Sequence, residues 1–282
     1  MSSPSPSVVG TRCVGSASLA TIASEGSVRA CVFCGGTPVT AEHVWPQWIA
    51  KYLPNEKIPH LVVVEHECSE AQVEFRGERI PFSTTAKCVC KPCNEGWMHE
   101  LEQAAEPLLA PLIQGKHAVW HEWNQTLAST WAFKTAIMLE QTHNDLRAIP
   151  EEIYPLFRRY LTPPPFAQVW IGIYSGEYPH NFGRGAMRLL LTTPEGFSVP
   201  NDLKAYGAFL QVGALVFRLF GHLVKDGPIN VPDPYIAQCL IPIRPVIPRA
   251  EWPPGLAVDD DGLEMLVKSM GIENPALGTS ET

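Results

Sequence analysis

Two cysteine pairs of identical spacing, CVFC from Cys31 and CKPC from Cys90, carry the most specific chemistry in the chain. A CxxC turn aims two sulfurs at one point, and two such turns supply the four ligands that tetrahedral zinc prefers. Cys88, two residues before Cys90, competes by proximity, but CVC lacks the interval that the two pairs share. Zinc held by Cys31, Cys34, Cys90 and Cys93 has no open coordination position, so its expected role is structural. Catalysis falls to the residues beside the pairs. Glu42 and His43 follow the first pair, and Asn94 comes directly after the second. A neutral imidazole takes a proton near neutral pH, while a carboxylate and an amide oxygen suit a hard divalent cation that keeps most of its waters. Those groups answer the demands of phosphodiester hydrolysis: a base for the attacking water, and positive charge for the phosphate and the leaving oxygen.

The order CVFC, AEHVWP, CKPCNEGW resembles the HNH (ββα-metal) nuclease family, in whose zinc-stapled branch a CxxC, an acid-His-x-x-Pro element and a CxxCN element follow one another. The resemblance covers about residues 31 to 105, and the later WAFKTAIMLE is similar, more loosely, to bacterial members. It implies a metal-dependent endonuclease in which His43 is the general base. Glu42 is then the acidic ligand of a catalytic Mg²⁺ or Mn²⁺, and Asn94 the helix-borne residue that completes that site. Pro46 matches the proline that turns the chain after the histidine. His99, in the first turns of the same helix, is a further candidate ligand. Nucleic acid is the implied partner, DNA before RNA.

Two positions depart from the family pattern. The middle Asn that helps to orient the base is missing from FSTTAKC, where Thr84 or Thr85 offers a hydroxyl instead. The acid is Glu where Asp is commoner, which lengthens the reach to the cation by one methylene.

Other groups have plainer readings. His66 and Cys68 lie at an interval that is not a recognised ligand turn, and His117 with His121 reads as an ordinary exposed pair. Trp45, Trp48 and Trp97 have the faces to stack bases, but their helical spacing assigns them to the core of the finger. Asp259 to Asp261 reads as a solvated turn.

The elements that must position these groups follow from periodicity. Residues 1–29, rich in Ser, Ala and Gly, read as a flexible arm. Residues 30–115 read as an HNH-like ββα-metal domain: a short helix with Trp45, Trp48, Ile49 and Leu53 on one face, strands from Leu61 and Val73, and a helix from Asn94 that stacks Trp97, Leu101, Ala105 and Leu108. Residues 116–255 read as an α+β domain that selects substrate or partner. It opens with a helix through NQTLASTWAFKTAIMLEQTH, whose buried side takes Leu127, Trp131 and Met138 or Leu139, and a shorter helix through EEIYPLFRRYL. Apolar runs after Pro163 then predict an antiparallel sheet of four or five strands. Residues 256–282 form a tail with a short helix. The fold class is α+β: an N-terminal zinc-stapled ββα-metal finger followed by helices and an antiparallel sheet.

Composition bounds the rest. The 282 residues are 45% hydrophobic, ample for a packed core, and the net charge is −8. Overall charge therefore gives no attraction to a phosphate backbone or an anionic membrane, and a phosphate track needs local basic steps such as Arg158-Arg159 and Arg184 to Arg188. The apolar run from Ala205 is broken by glycines, Gln211, Arg218 and His222, so no membrane is expected. With no basic start ahead of an apolar block, the cytoplasm is the expected location. Two other functions fit the same residues. One is a zinc-stapled binding module without activity, which can include a protein partner or a homodimer. The other is an HNH-like enzyme that acts on a small molecule in a closed pocket beside His43.

Overall fold

A computed structural model describes residues 8–11, 29–54, 58–64, 72–80, 82–142, 147–192, 198–222 and 234–268. After strand β1 (Val8–Thr11), the cysteine-rich part begins with β2 (Val39–His43), and Pro46 leads into a 3₁₀ helix over Gln47–Lys51. A separate antiparallel hairpin, β3 (Ile58–Val64) and β4 (Gln72–Arg79), precedes β5 (Thr85–Cys90). β5 pairs antiparallel with β2, setting Val39 opposite Cys90 and His43 opposite Thr85. Helix follows without a loop: α1 (Lys91–Cys93), a π-helical turn over Asn94–Met98, and α2 (His99–Ile113). Pro92 sits in the first turn, where its missing N–H costs no helical bond. Gly96 lies inside the π turn at non-helical angles, φ −94° and ψ −115°.

The rest of the chain forms β6 (Ala118–Trp120), α3 (Glu122–Glu140), α4 (Ile153–Tyr160), β7 (Gln168–Ile173), β8 (His180–Thr192), β9 (Ser198–Val212) and β10 (Leu215–His222). α5 (Pro234–Cys239), β11 (Leu240–Arg244), β12 (Ala250–Trp252) and α6 (Asp260–Lys268) complete it. Six strands make one sheet in the order β1-β8-β9-β10-β7-β11, every neighbouring pair antiparallel. β12 pairs with β6 apart from it.

Along β10 the pleat sorts side chains between two cores. Leu215, Phe217 and Leu219 join the main core with α3, whereas Val216 joins a smaller one with Tyr174, Phe209, Leu263 and Leu266. The main core runs through the cysteine-rich part as well. Trp48 meets Trp131 of α3 at a ring-centroid distance of 6.2 Å, and Trp131 meets Phe217 at 5.8 Å. Phe33, inside the first CxxC, packs edge-on to Trp97 at 5.1 Å.

The architecture agrees with the expected mixed α+β class and antiparallel sheet. Several elements differ. Val8–Thr11, read as part of a flexible arm, is a strand at the sheet edge. α3 is buried on every side from Ala128 to Glu140, because α2 packs on it and the sheet lies against it. The strand expected through YIAQCLIPI starts as α5, whereas the apolar run from Ala205 forms buried strands as read, a hairpin that turns at Gly213. The short helix after Pro46 is 3₁₀ rather than α. Asp259 and its neighbours are a helix start: the Gly262 N–H donates to Asp259 Oδ1 at 2.8 Å. Among the described residues no helix is long and apolar enough to cross a membrane.

Candidate functional site

The first CxxC turn is closed by its own backbone. The Gly35 N–H donates to the Cys31 carbonyl at 2.8 Å and the Cys31 N–H to the Gly36 carbonyl at 2.9 Å, with Gly35 at φ +73°, where a side chain is strained. Gly36 leaves room for the sulfurs, since a Cβ there would lie 3.4 Å from Cys34 Sγ and 3.5 Å from Cys90 Sγ. The second pair comes from the end of β5 and from α1. The sulfurs of Cys31, Cys34, Cys90 and Cys93 all lie within 4.8 Å of one another, with Cys34 Sγ 3.5 Å from Cys90 Sγ and 3.6 Å from Cys93 Sγ. A disulfide needs about 2.05 Å. Ligands about 2.3 Å from a tetrahedral zinc stand about 3.8 Å apart, so these four free thiols fit a metal ion such as zinc.

Cys88 is not in the cluster. The pairing passes from Thr40 opposite Val89 to Ala41 opposite Lys87, which leaves Cys88 as the extra residue of a β-bulge. Its carbonyl accepts the Val32 N–H at 2.9 Å, tying the first CxxC to β5. Burial pushes its thiol up to about 12, so it stays protonated.

Beside this cluster, Thr40 and Glu42 occupy alternate positions of β2 and therefore one side of it. Asn94 faces that side from the π turn, its Nδ2 3.5 Å from Thr40 Oγ1. With the nitrogen end of Asn94 turned to Thr40, its Oδ1 is left as an oxygen donor. The Glu42 carboxyl is held above the usual carboxylate range, first by burial and then by the charge of Glu102. Lys134, Asn94 and the His43 backbone N–H pull it back in part. One carboxylate and one amide oxygen fit a hard cation such as Mg²⁺ or Mn²⁺.

The His43 ring points elsewhere. It is half-buried at the end of β2, and Gln47 Nε2 lies 3.2 Å from both ring nitrogens. Asn94 is thus brought to the side of β2 that carries Glu42, and His43 keeps company with Gln47. His99 is exposed on the first residue of α2. Among the described residues the four cysteines are the one set of three or more His, Cys, Asp and Glu side chains gathered tightly enough to hold an ion. Glu42, His43, His99 and Glu102 do not form a second.

Three side chains at the site escaped the sequence reading. Gln47 is four residues past His43, and nothing in its type marks it. Glu102 lies on α2, and its Oε1 is 2.5 Å from Lys134 Nζ, with Lys134 fully buried on α3 and the Glu102 side chain 15% exposed. A lone lysine inside the apolar WAFKTAIMLE was a readable signal for this pair, because a cation is buried only with a partner. Of the other candidates, His117 Nε2 approaches Glu251 Oε1 at 3.4 Å on the surface. His66 and Cys68 lie outside the described residues, as do the side chains of Arg184 and Arg188.

Comparison of the chain with protein-family models, with curated proteins and with solved structures found no match.

Proposed function

We propose that the chain is a metal-dependent endonuclease of the HNH type that hydrolyses phosphodiester bonds of nucleic acid, with His43 as general base. The observation that carries this reading is the approach of Asn94 Nδ2 to Thr40 Oγ1 at 3.5 Å, which sets a helix residue against the strand that carries Glu42, next in the chain to the four-cysteine cluster. The chain order of β2, β5 and the helix after it is consistent with a ββα-metal finger, stapled by structural zinc on Cys31, Cys34, Cys90 and Cys93. That staple fixes the end of β5 and the start of the helix, and with them the position of Asn94.

Glu42 and Asn94 Oδ1 would hold Mg²⁺ or Mn²⁺, which when bound supplies positive charge for the phosphate and the departing oxygen. His43 takes the proton of the attacking water. Gln47 Nε2, 3.2 Å from both ring nitrogens, donates to the imidazole and holds the ring in place. Gln47 in this way does the work of the family's missing middle Asn. Phosphate contact on an acidic protein has to be local. Arg158, stacked 5.5 Å over the Trp97 ring, and Arg159 beside it are basic groups near the helix that carries Asn94.

The missing middle Asn and the separate directions of His43 and Asn94 favour one other reading, a zinc-stapled module that binds a partner without cutting. Nicking of supercoiled plasmid by the zinc-loaded chain in Mn²⁺ separates the two. His43→Ala, with its zinc content unchanged, is expected to nick at least about 100-fold more slowly. An equal rate in that variant removes His43 from the mechanism, and no nicking by either protein favours the binding module.

A further inference from the structure

Between the first turns of α3 and the edge strand β11 lies a pocket of about 550 Å³, lined by none of the cysteines of the cluster and by none of Glu42, His43 and Asn94. That volume is in the range of small-molecule sites. One wall is the loop over residues 165–167, where the Ala167 N–H donates to the Pro164 carbonyl at 2.9 Å and Phe166 stacks on the His222 ring at a centroid distance of 5.2 Å. A second is the strap over residues 244–246 that follows β11, and Thr126 of α3 supplies a third side. The strap is tied to α3 next to Thr126: Gln125 Nε2 donates to the Ile247 carbonyl at 2.7 Å, and Gln125 Oε1 accepts the Ile247 N–H at 2.9 Å. Bonds within the chain thus hold all three walls.

Arg244 is the one charged residue of the lining. Its Nη2 donates to the Pro163 carbonyl at 2.6 Å and to the Pro164 carbonyl at 3.3 Å, which pins the guanidinium to the loop. Its Nε is enclosed and meets no acceptor among the described residues. A pinned, half-buried guanidinium with donors to spare favours an anionic oxygen in the space it faces. The lining is otherwise mostly apolar, with Pro165, Phe166, Ala167, Pro245 and Val246. Apolar surface continues at the rim, where Val246 is 41% exposed and Trp123, one turn of α3 before Thr126, is 74% exposed.

We propose that this pocket binds a small organic acid, a single carboxylate on an apolar or aromatic body, and that Arg244 holds the carboxylate. Charge selects this class over a nucleotide. A phosphate monoester brings close to two negative charges, and the lining has one cation to meet them. The binding is independent of the hydrolysis proposed above, since the two share no residue.

The test is calorimetric titration of the zinc-loaded full chain with naphthaleneacetate and with two ligands of similar body, the neutral naphthaleneacetamide and naphthyl phosphate. The acid is expected to bind at one site with a Kd of about 1 mM or tighter. The amide is expected to bind about tenfold more weakly, and the phosphate no more tightly than the acid. Arg244→Met is expected to lose that tenfold preference for the acid. Because Arg244 also braces the loop, Val246→Glu provides a second variant at an exposed position: its carboxylate at the rim is expected to weaken the acid about fivefold and to leave the amide within about twofold. No saturable binding of the acid, tighter binding of the phosphate, or an acid affinity unchanged in both variants overturns the proposal. If Arg244→Met weakens acid and amide alike, the Val246→Glu result decides, and equal effects on both ligands there reject the carboxylate site.

Discussion

Glu42 shows how one carboxylate carries a cost that its surroundings only partly repay. Burial and Glu102 raise its pKa above the unfolded value of 4.5, so the ionised form is the less favoured one in the folded chain. Below 4.5 both states hold the proton and the residue is neutral to stability. As the pH rises through the folded value, the unfolded state releases the proton more readily and stability falls. Glu42→Gln, in buffer free of Mg²⁺ and Mn²⁺, is therefore expected to raise the unfolding midpoint at pH 7. Because the group is half exposed, screening keeps the gain below about 2 °C. Thermal scans across pH should show the gain vanish as the pH falls through 4.5, and a gain that persists in acid would point to packing instead. Glu42, His43 and Asn94 were legible as candidates because their types and order match the chemistry. Gln47 and Glu102 were not, since an amide or a carboxylate on a helix is ordinary until its neighbours are known.

At the scale of elements, one turn of the sheet is hydrogen-bonded to the end of α2, the helix that continues from Asn94. Gly213 joins β9 to β10 at φ +54°, its N–H donates to the Pro179 carbonyl at 2.9 Å, and the next N–H, of Ala214, donates to the Ile113 carbonyl at the end of α2, also at 2.9 Å. A Cβ at position 213 would stand 2.4 Å from that Ile113 oxygen and 2.9 Å from Leu53 Cδ2. Gly213→Ala thus combines a strained φ with a backbone clash, and is expected to cost about 2 kcal/mol or more in urea unfolding. A cost under about 0.5 kcal/mol would mean that the hairpin shifts freely on α2. Strand and helix positions were largely readable here, from alternation in β7 and from the Gly-marked break between β9 and β10. The all-round burial of α3 was not, because its Gln125, Ser129, Thr130, Lys134 and Thr135 look like a solvated face until α2 and the sheet cover them. Gln125 fits in the interior because it bonds the Trp120 and Ile247 carbonyls at 3.2 and 2.7 Å.

In the molecule as a whole, the cysteine cluster and the sheet share one core, through Phe33, Trp97, Trp48, Trp131 and Phe217. Metal binding and sheet packing should then be lost together. In a urea titration, zinc release reported by a chromogenic chelator and the change in tryptophan fluorescence are expected to have the same midpoint. Zinc release well before the fluorescence change would mean that the cluster unfolds on its own. What the sequence by itself determined is local: two CxxC turns at matched intervals, an acid and an imidazole in successive positions, and an amide next to the last cysteine, since such spacings survive any arrangement of the rest. The tertiary structure alone decided that Asn94 comes to the side of β2 that carries Glu42 while the His43 ring meets Gln47, that a bulge removes Cys88 from the sulfur cluster, and that Lys134 and Glu102 pair between α3 and α2. Each is a contact between segments far apart in the chain or a choice between two faces of a strand, set by packing and charge burial that no linear pattern records.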